Sequence, residues 1–474
     1  GCTAPDPAPT PSPSDSASTA PATPSAPPAP PDRCDGWSAA PATRPASPEV
    51  ADASVVGRAW AGMEVGQALL TTSSAQYVAY YDTDRRLVVA QRTMDDRGLP
   101  SSPWTSQRLD TTLGWDSHAY ATLAVDRDGA LHVAGNMHVS PLTYFRSDPG
   151  GDVRTLERVT TMVDESIERR VTYPDFLLQD DGSLLFSYRD GDSTDGATYL
   201  NRYDEAERSW RAVTAEPLVD GSGDDVPRNA YVTRPVRGPD GFFHVLWVWR
   251  RTGDVATNSV LTYAKTKDFE TWRAADGTAL DLPLTYREGD IVDPVPEDGG
   301  LINGVQQVGF DAEGRLVVVY PKFDDARNLQ LWAATPSGGG WDVHQLTHWD
   351  NPVELRGEGT LAMPMGVGEM QARDDGTLAI EYTCHRAGGT LVVDDDLRFV
   401  AQERRAAPYP RQLQSARESY PGLAARFSPD LAPDRGQNPR HTYVLRWESL
   451  AANQDEPRDD WPRNGSELTV VRLR

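Results

Sequence analysis

The sequence predicts an all-β protein, a seven-bladed β-propeller preceded by a disordered tether rich in Pro, Ala and Ser. Three observations lead to this prediction: short alternating strands recur along the chain, acidic-glycine turns join them, and an aromatic residue often ends the strand that follows. Asp-Gly between alternating strands is a strong hairpin signal, because the turn requires positive φ. Four-stranded blades repeated around an axis are typical of such a pattern.

The tether is the first element. Residues 1–50 contain too few apolar side chains to form a core, so we expect them to be extended and disordered. Cys2 follows Gly1, as in a bacterial lipoprotein whose signal peptide has been removed, and is a candidate lipidation site. A tag remnant followed by a linker is the alternative. We therefore expect an exported protein, either a cell-surface lipoprotein or secreted, that contacts a membrane only through such an anchor.

The catalytic domain is expected over residues 51–474, with six repeats recognisable directly. Turn sequences such as VDRDGALHVA, LQDDGSLLFSYR and FDAEGRLVVVY mark their hairpins. Strands at 443–447 and 468–473 are expected to complete a seventh blade with a strand near 53–59, which would remove the open sheet edge. The six repeats span residues 64–108, 118–160, 170–213, 229–275, 303–346 and 364–402.

Composition narrows the choice of partners. The formal net charge of −24 would repel a phosphate backbone, so we expect no nucleic-acid partner. Cys34 and Cys384 could form a disulfide in an oxidising compartment, although sequence alone does not place them together. We expect a monomer.

The densest group of reactive side chains lies in the second and third repeats. His118 precedes the first strand of its repeat and His138 follows the second strand, while Tyr173 and Arg189 hold the same relative places in the next repeat. Antiparallel strands joined by a hairpin return to their starting point, and inner blade ends converge on the propeller axis. The four side chains should therefore meet in one central pocket. The alternative for each is a polar blade-end residue that only bonds a turn.

This residue set suits β-elimination next to a uronic acid. An arginine can neutralise the carboxylate and stabilise the enolate-like intermediate, and a neutral histidine can take the C5 proton. A tyrosine or the second histidine can protonate the departing oxygen. The chemistry requires no cofactor, and we assign no metal; a structural Ca²⁺ would suit the fold class, but no motif identifies its ligands.

Additional residues are expected to line sugar subsites by stacking and hydrogen bonding. Most of them open the fourth repeat or end its inner strands, where Trp249 could instead pack between blades. The predicted substrate-binding residues are Tyr188, Asn229, Tyr231, Arg234, Trp249, Arg250 and Asn258.

Three stretches of the chain resemble BNR-repeat-containing propellers: SHAYATLAVDRDGALHVAGNMHVSPLTYFRS, YPDFLLQDDGSLLFSYRDGD and NAYVTRPVRGPDGFFHVLWVWRR. That group includes ulvan lyases, rhamnosyl-glucuronate lyases and a related α-L-rhamnosidase family, and the resemblance spans about residues 55–474. Ala119 stands where many members have Asn, and Cys384-His385 is only a fragment of the zinc-binding cluster of some ulvan lyases. Among the lyases the resemblance implies a catalytic set that maps onto His118, His138, Tyr173 and Arg189.

Three functions are consistent with the sequence. The leading hypothesis is a polysaccharide lyase that cleaves an acidic polysaccharide next to a uronic acid, expected to be rhamnose-linked glucuronate. The second is an exo-acting α-L-rhamnosidase on a rhamnose–glucuronate glycan. The third is a non-catalytic surface propeller that binds glycan, since a fold does not define a function. The product separates the two enzymes, because only elimination leaves an unsaturated uronate.

Overall fold

The computed structural model describes residue 34 and residues 47–222, 226–385 and 387–474. Cys2 and most of the predicted tether lie outside these residues. The described part is built from strands β1 to β32. Its only helical elements are short 3-10 turns, at Val153–Thr155, Glu165–Ile167, Val255–Thr257, Arg411–Leu413 and Pro433–Arg435. No helix in these ranges has the length and apolar character needed to cross a bilayer.

After β1 (Val50–Ala59), the chain builds six antiparallel sheets in succession, each from one continuous segment. The first consists of β2 (Ala68–Thr71), β3 (Ala75–Tyr81), β4 (Arg86–Thr93) and β5 (Thr105–Thr112). The second consists of β6 (Thr122–Val125), β7 (Leu131–Ala134), β8 (Tyr144–Arg146) and β9 (Glu157–Arg158). The third consists of β10 (Val171–Leu178), β11 (Leu184–Gly191), β12 (Gly196–Asp204) and β13 (Ser209–Ala212), with β14 (Val219–Asp220) paired to β12.

The next three sheets continue the pattern. The fourth consists of β15 (Asn229–Val232), β16 (Val236–Arg237), β17 (Phe243–Arg250), β18 (Asn258–Thr266), β19 (Trp272–Arg273), β20 (Ala279–Leu280) and β21 (Asp290–Asp293). The fifth consists of β22 (Gln307–Phe310), β23 (Leu316–Phe323), β24 (Leu329–Ser337) and β25 (Gly340–Gln345). The sixth consists of β26 (Met365–Ala372), β27 (Leu378–Cys384), β28 (Ala387–Val393) and β29 (Phe399–Arg404). Each corresponds to one of the six predicted repeats.

A composite seventh sheet joins the two ends of the domain. It adds β30 (Ala424–Pro429), β31 (Thr442–Ser449) and β32 (Ser466–Leu473) to β1, in the order β1-β32-β31-β30. This pairs the strands near 53–59, 443–447 and 468–473 as the sequence predicted, and covers what would otherwise be open edges. The all-β propeller class is thereby confirmed, with six sheets of consecutive strands and one that joins the chain ends.

The apolar cores lie between neighbouring sheets. One cluster, for example, packs Tyr144 of β8 against Phe176, Phe186 and Trp210 of the third sheet. His132 lies inside this cluster, fully buried, with its ring nitrogens bonded to Tyr144 and to Asp126. His132 is therefore a packed core histidine, separate from the pair that flanks it in sequence.

Cys34 and Cys384 form a disulfide. Their Cα atoms are 6.4 Å apart, and both residues belong to the core cluster between the fifth and sixth sheets. The pairing that the sequence left open is thus present, and it fastens residue 34 to the end of β27.

Candidate active site

Asp116 brings the two predicted histidines together. It lies with His118 in the connection from β5 to β6, while His138 lies in the connection from β7 to β8. Oδ1 of Asp116 is 2.8 Å from Nδ1 of His118 and accepts its backbone N–H at 2.9 Å, while Oδ2 bonds Nδ1 of His138. The two imidazole rings stack with centroids 4.1 Å apart. The hairpin therefore returns His138 to His118, as predicted.

The shared carboxylate fixes how the imidazoles present their protons. An ionised carboxylate only accepts hydrogen bonds, so each neutral ring keeps its proton on Nδ1 and leaves Nε2 as an acceptor. Burial alone would raise the pKa of Asp116, but hydrogen bonds from His118 and His138 outweigh it and hold the pKa well below its ordinary value. Asp116 consequently stays ionised through the pH range in which histidines usually titrate.

A loop of the composite sheet supports this pair from a second direction. Asp455, between β31 and β32, accepts the backbone N–H and the hydroxyl of Ser117, both at 2.9 Å. Its other carboxylate oxygen is 3.5 Å from Nδ1 of His118 and accepts the Thr360 hydroxyl at 3.2 Å. The sequence analysis did not identify Asp455, because no local pattern links it to the second repeat.

Tyr173 lies at an irregularity in β10. The register between β10 and β11 shifts between Thr172 and Asp175, and Tyr173 has φ of 55°, a conformation uncommon outside glycine. Such bulges re-aim side chains, and strained backbone of this kind concentrates at functional sites. Here the phenol ring makes an edge contact with His118, with centroids 6.2 Å apart.

The surroundings of Tyr173 keep its hydroxyl protonated. Burial raises its pKa to about 12; the neighbouring phenol of Tyr231 adds to this effect, and the positive charge of Arg189 opposes it. The phenol can therefore act as a proton donor near neutral pH, provided that a strong enough base forms beside it. The guanidinium carbon of Arg189 is 5.0 Å from the centre of the Tyr173 ring.

Arg189 is a buried cation with no carboxylate partner among the described residues. It lies on β11 with 4% of its surface exposed, and its Nε and Nη1 atoms have no hydrogen-bond partner in the described part of the chain. A buried charge without a counter-charge is unfavourable, so this site favours an anion from outside. The planar guanidinium matches a carboxylate with two parallel hydrogen bonds.

Three of the predicted substrate-binding residues border one cavity. Tyr188, Tyr231 and Arg234 line a cavity of about 300 Å³ together with Tyr173 and Arg189. Arg234 forms an ion pair with Asp175 of β10. The side of the cavity formed by Arg234 and Asp175 is therefore polar, and the ion pair holds these two side chains in place.

Arg250 and Asn258 form a buried hydrogen-bond group behind Tyr231. The Arg250 guanidinium donates to Oδ1 of Asn258 at 2.9 Å, to Oδ1 of Asn303 at 2.6 Å and to the Tyr231 hydroxyl at 3.2 Å. Its carbon lies 4.7 Å from the Tyr231 ring centre. The group holds Tyr231 in place at the cavity wall, and Asn303, contributed by the segment before β22, is a member that the sequence analysis did not name.

Trp249, Asn229 and Tyr188 are buried, although Tyr188 also lines the cavity. Trp249 is fully buried in the core of the fourth sheet, so the expectation that its ring contacts a sugar does not hold in this structure. Tyr188 packs against Tyr199 with its hydroxyl unpartnered among the described atoms. Asn229 is 1% exposed, and neither atom of its amide has a partner among those atoms.

The Asp116, His118 and His138 group could also hold a metal ion by its composition, since its ligand atoms lie within 4.8 Å of one another. In the present arrangement both Nδ1 atoms are engaged with the Asp116 carboxylate. A cation bound at these atoms would replace the hydrogen bonds that align the rings. That the chemistry requires no metal stays a prediction.

The fold and the site define a β-propeller with a candidate active site between its second and third blades, made of a histidine pair, a tyrosine and a buried arginine. The chain belongs to the BNR repeat-containing family: the family profile, described as "BNR repeat-containing family member", matches residues 75–349, more than half of the chain. The family resemblance noted in the sequence is thereby confirmed.

Several of the known proteins that this chain resembles are named as polysaccharide or ulvan lyases. The polysaccharide lyase Uly1 superposes with a TM-score of 0.57 at 14% identity, covering 90% of this chain and 99% of the other. An ulvan lyase, polysaccharide lyase PL25 bound to GlcA(1-4)Rha3S, gives 0.56 at 13% identity, covering 84% and 93%. A long-isoform ulvan lyase of Glaciecola sp. (strain KUL10) is 36% identical over 63 residues, which cover 13% of this chain and only 6% of that relative's length. At these identities the structural likeness shows a shared fold.

Proposed function

We propose that the protein is a polysaccharide lyase that cleaves next to a uronic acid by β-elimination, with rhamnose-linked glucuronate as the expected substrate. The observation that carries this proposal is the buried guanidinium of Arg189, which lies against the Tyr173 ring and has no carboxylate partner among the described residues. A carboxylate on the substrate supplies the missing counter-charge. The same carboxylate is the group that makes the neighbouring C5–H acidic enough to remove.

The carboxylates near the site favour elimination over hydrolysis. A glycosidase of the usual kind needs two carboxyl groups that flank the scissile bond, one as acid and one as base or nucleophile. Asp116 is bonded to both histidines, and Asp175 is bonded to Arg234 and Arg435. Both are therefore occupied in holding other side chains.

The proposed reaction begins with carboxylate binding. Arg189 binds the uronate carboxylate and stabilises the negative charge that develops on it when the C5 proton leaves. Nε2 of one imidazole of the His118/His138 pair accepts that proton, because Asp116 holds the Nδ1 atoms protonated. The resulting imidazolium is stabilised by the same carboxylate.

The bond to the leaving group then breaks. The electrons of the C5–H bond form a double bond between C4 and C5 as the bond from C4 to the glycosidic oxygen breaks. Tyr173 donates its phenolic proton to that oxygen, which remains on the anomeric carbon of the neighbouring sugar. The products are an unsaturated uronate at a new non-reducing end and a sugar with a free anomeric hydroxyl; proton exchange with water restores the histidine and tyrosine.

Comparison with known proteins supports this proposal. The two structures of similar fold are named as polysaccharide lyases, and the bound GlcA(1-4)Rha3S unit of one contains a uronic acid next to rhamnose. The short sequence match is also to an ulvan lyase. These names agree with the substrate chemistry inferred from Arg189.

The test uses the ultraviolet absorbance of the conjugated double bond. Purified protein is incubated with polysaccharides that contain glucuronate and rhamnose, and absorbance should rise with the wild type but not with Tyr173→Phe or Arg189→Gln. Tyr409→Phe is the matched control, because Tyr409 stacks on Phe427 at the composite sheet. Release of rhamnose without absorbance would favour the rhamnosidase, and binding without any product would favour a glycan-binding propeller.

A further inference from the structure

Three tryptophans form a chain of edge contacts beside the candidate site. Trp115 directly precedes Asp116, and its ring contacts Trp60 at 5.1 Å and Trp461 at 5.0 Å between centroids. Trp60 is buried in the first-blade core, whereas Trp115 and Trp461 are only partly buried. Two indole rings therefore reach the surface here, and one of them, Trp115, directly precedes the carboxylate that holds the histidine pair.

The loop that carries Trp461 is fastened at several points. It connects β31 to β32, and Arg458 within it donates to the backbone oxygen of Gly62 at 2.9 Å. At its start, Leu450 donates its backbone N–H to Ala61 at 3.0 Å. Asp455 in the same loop bonds Ser117, so Trp461 is held at a fixed place next to Trp115.

Two arginines flank these indoles. The guanidinium carbon of Arg463 lies 3.2 Å from the Trp461 ring centre, and that of Arg85 lies 5.8 Å from Trp115. In the described part of the chain neither has a carboxylate within salt-bridge distance, whereas the adjacent Arg86 pairs with Asp110 at 3.2 Å. Arg463 donates to the backbone oxygen of Asp459 at 3.4 Å, and its charge is not balanced by any described carboxylate within salt-bridge distance.

We propose that Trp115, Trp461, Arg85 and Arg463 form a second sugar-binding subsite, here called the Trp–Arg patch, for an anionic sugar further along the polysaccharide. The apolar C–H face of a sugar ring packs against indole, and the guanidinium groups bind a carboxylate or a sulfate ester on it. Stacking on Trp461 orients the Arg463 side chain before a ligand binds. Arg463 therefore loses less conformational entropy on binding. The class of substrate, an acidic polysaccharide, rests on the proposed function. The position of the subsite rests on the four residues of the patch.

A consequence follows for the length of chain that the protein recognises. The patch lies at the first blade and the composite sheet, whereas Arg189 and the 300 Å³ cavity belong to the third and fourth blades. The histidine pair lies between them. A long oligosaccharide should therefore engage both regions, while a disaccharide at Arg189 should not reach the patch.

The experiment measures affinity against chain length by calorimetry. Probes are size-fractionated oligosaccharides of ulvan, from disaccharide upward, and all proteins are the full chain carrying Tyr173→Phe to block turnover. Adding Arg463→Gln or Trp461→Ala should weaken binding of the longest probe about fivefold to tenfold, a loss typical of one partly exposed cation–π or ion-pair contact, and leave the disaccharide unchanged. Arg86→Gln is the control, since Arg86 is next to Arg85 of the patch but is already paired with Asp110.

Each outcome bears on the proposal. Two results would overturn the subsite but not the proposed function. One is an equal loss of affinity for short and long probes; the other is no loss of affinity in either variant when thermal unfolding shows that the fold is intact. Absence of binding by the Tyr173→Phe protein to every probe would refute the substrate class and the subsite together. Carboxyl-reduced and desulfated probes show which anion the patch binds. Arg463→Gln should leave the affinity unchanged for the probe from which that anion has been removed.

Discussion

Replacing Asp116 with Asn should disable the histidine pair while leaving the propeller folded. Asn has nearly the same shape, but it offers one acceptor oxygen, and its amide nitrogen cannot accept a hydrogen bond from Nδ1. Asp116 bonds both His118 and His138 in the wild type. In Asp116→Asn one ring must therefore lose its partner or move its proton to Nε2, where it can no longer take the C5 proton.

The size of the effect follows from the lost hydrogen bond. A hydrogen bond to a charged group contributes about 1.5–3 kcal/mol. Since about 1.36 kcal/mol in the activation barrier is tenfold in rate, loss of one such bond predicts a kcat lower by roughly 10- to 150-fold. Asp116 does not itself bind the substrate carboxylate in the proposed reaction, so KM should change little.

Steady-state kinetics on a uronate-containing polysaccharide measure this directly. The control is Asp126→Asn, because Asp126 bonds the buried His132 and should affect the melting temperature rather than kcat. If Asp116→Asn retained the wild-type kcat with a normal melting temperature, the idea that the shared carboxylate sets the proton positions would be refuted.

Three further predictions concern stability and the arginine site. Because the pKa of Asp116 is lower in the folded protein than in the unfolded chain, its ionised form stabilises the fold at pH values above the ordinary pKa of a carboxyl group. This contribution is lost as the pH falls through the depressed pKa. The difference in melting temperature between wild type and Asp116→Asn should thus be constant near neutral pH and shrink in strong acid; a constant difference at all pH values would contradict it. Gly196→Ala would place a Cβ 2.1 Å from Oδ1 of Asn229 and 3.0 Å from Cδ of Arg189, so it should raise KM by displacing the arginine that is proposed to bind the carboxylate; Gly114→Ala, which meets no atom within 4 Å, should leave KM unchanged. Cys34→Ser should destabilise the fold by about 2–5 kcal/mol in denaturant unfolding while activity at room temperature persists; unchanged stability would refute a structural role for the disulfide.

The sequence could predict that the four central side chains lie together, because the geometry of single hairpins determines where each of them lies. His118 and His138 bracket one hairpin, and Tyr173 and Arg189 bracket the next, so strand pairing alone brings each pair to one sheet end. Asp116 also had a local signal, since it lies two residues before His118. The periodic turns likewise sufficed to delimit six repeats and to pair the chain ends.

Other parts of the site depend on packing between distant segments. Asp455 comes from a loop of the composite sheet and Asn303 from the segment before the fifth sheet, and no repeat position marks either as a partner of the site. The sequence left the place of Trp249 open, between substrate and core, for a related reason. Both faces of an inner blade are covered by neighbouring sheets, so strand alternation does not distinguish a ring that faces substrate from one that faces the core.

The most direct test of the lyase account is the mass balance of cleavage. A defined glucuronate–rhamnose oligosaccharide is digested and all products are weighed by mass spectrometry. Elimination predicts two products whose masses sum to that of the substrate, one of them with the double bond between C4 and C5, and no product with Tyr173→Phe. Products whose masses sum to the substrate plus one water, with no double bond, would contradict the account and establish hydrolysis.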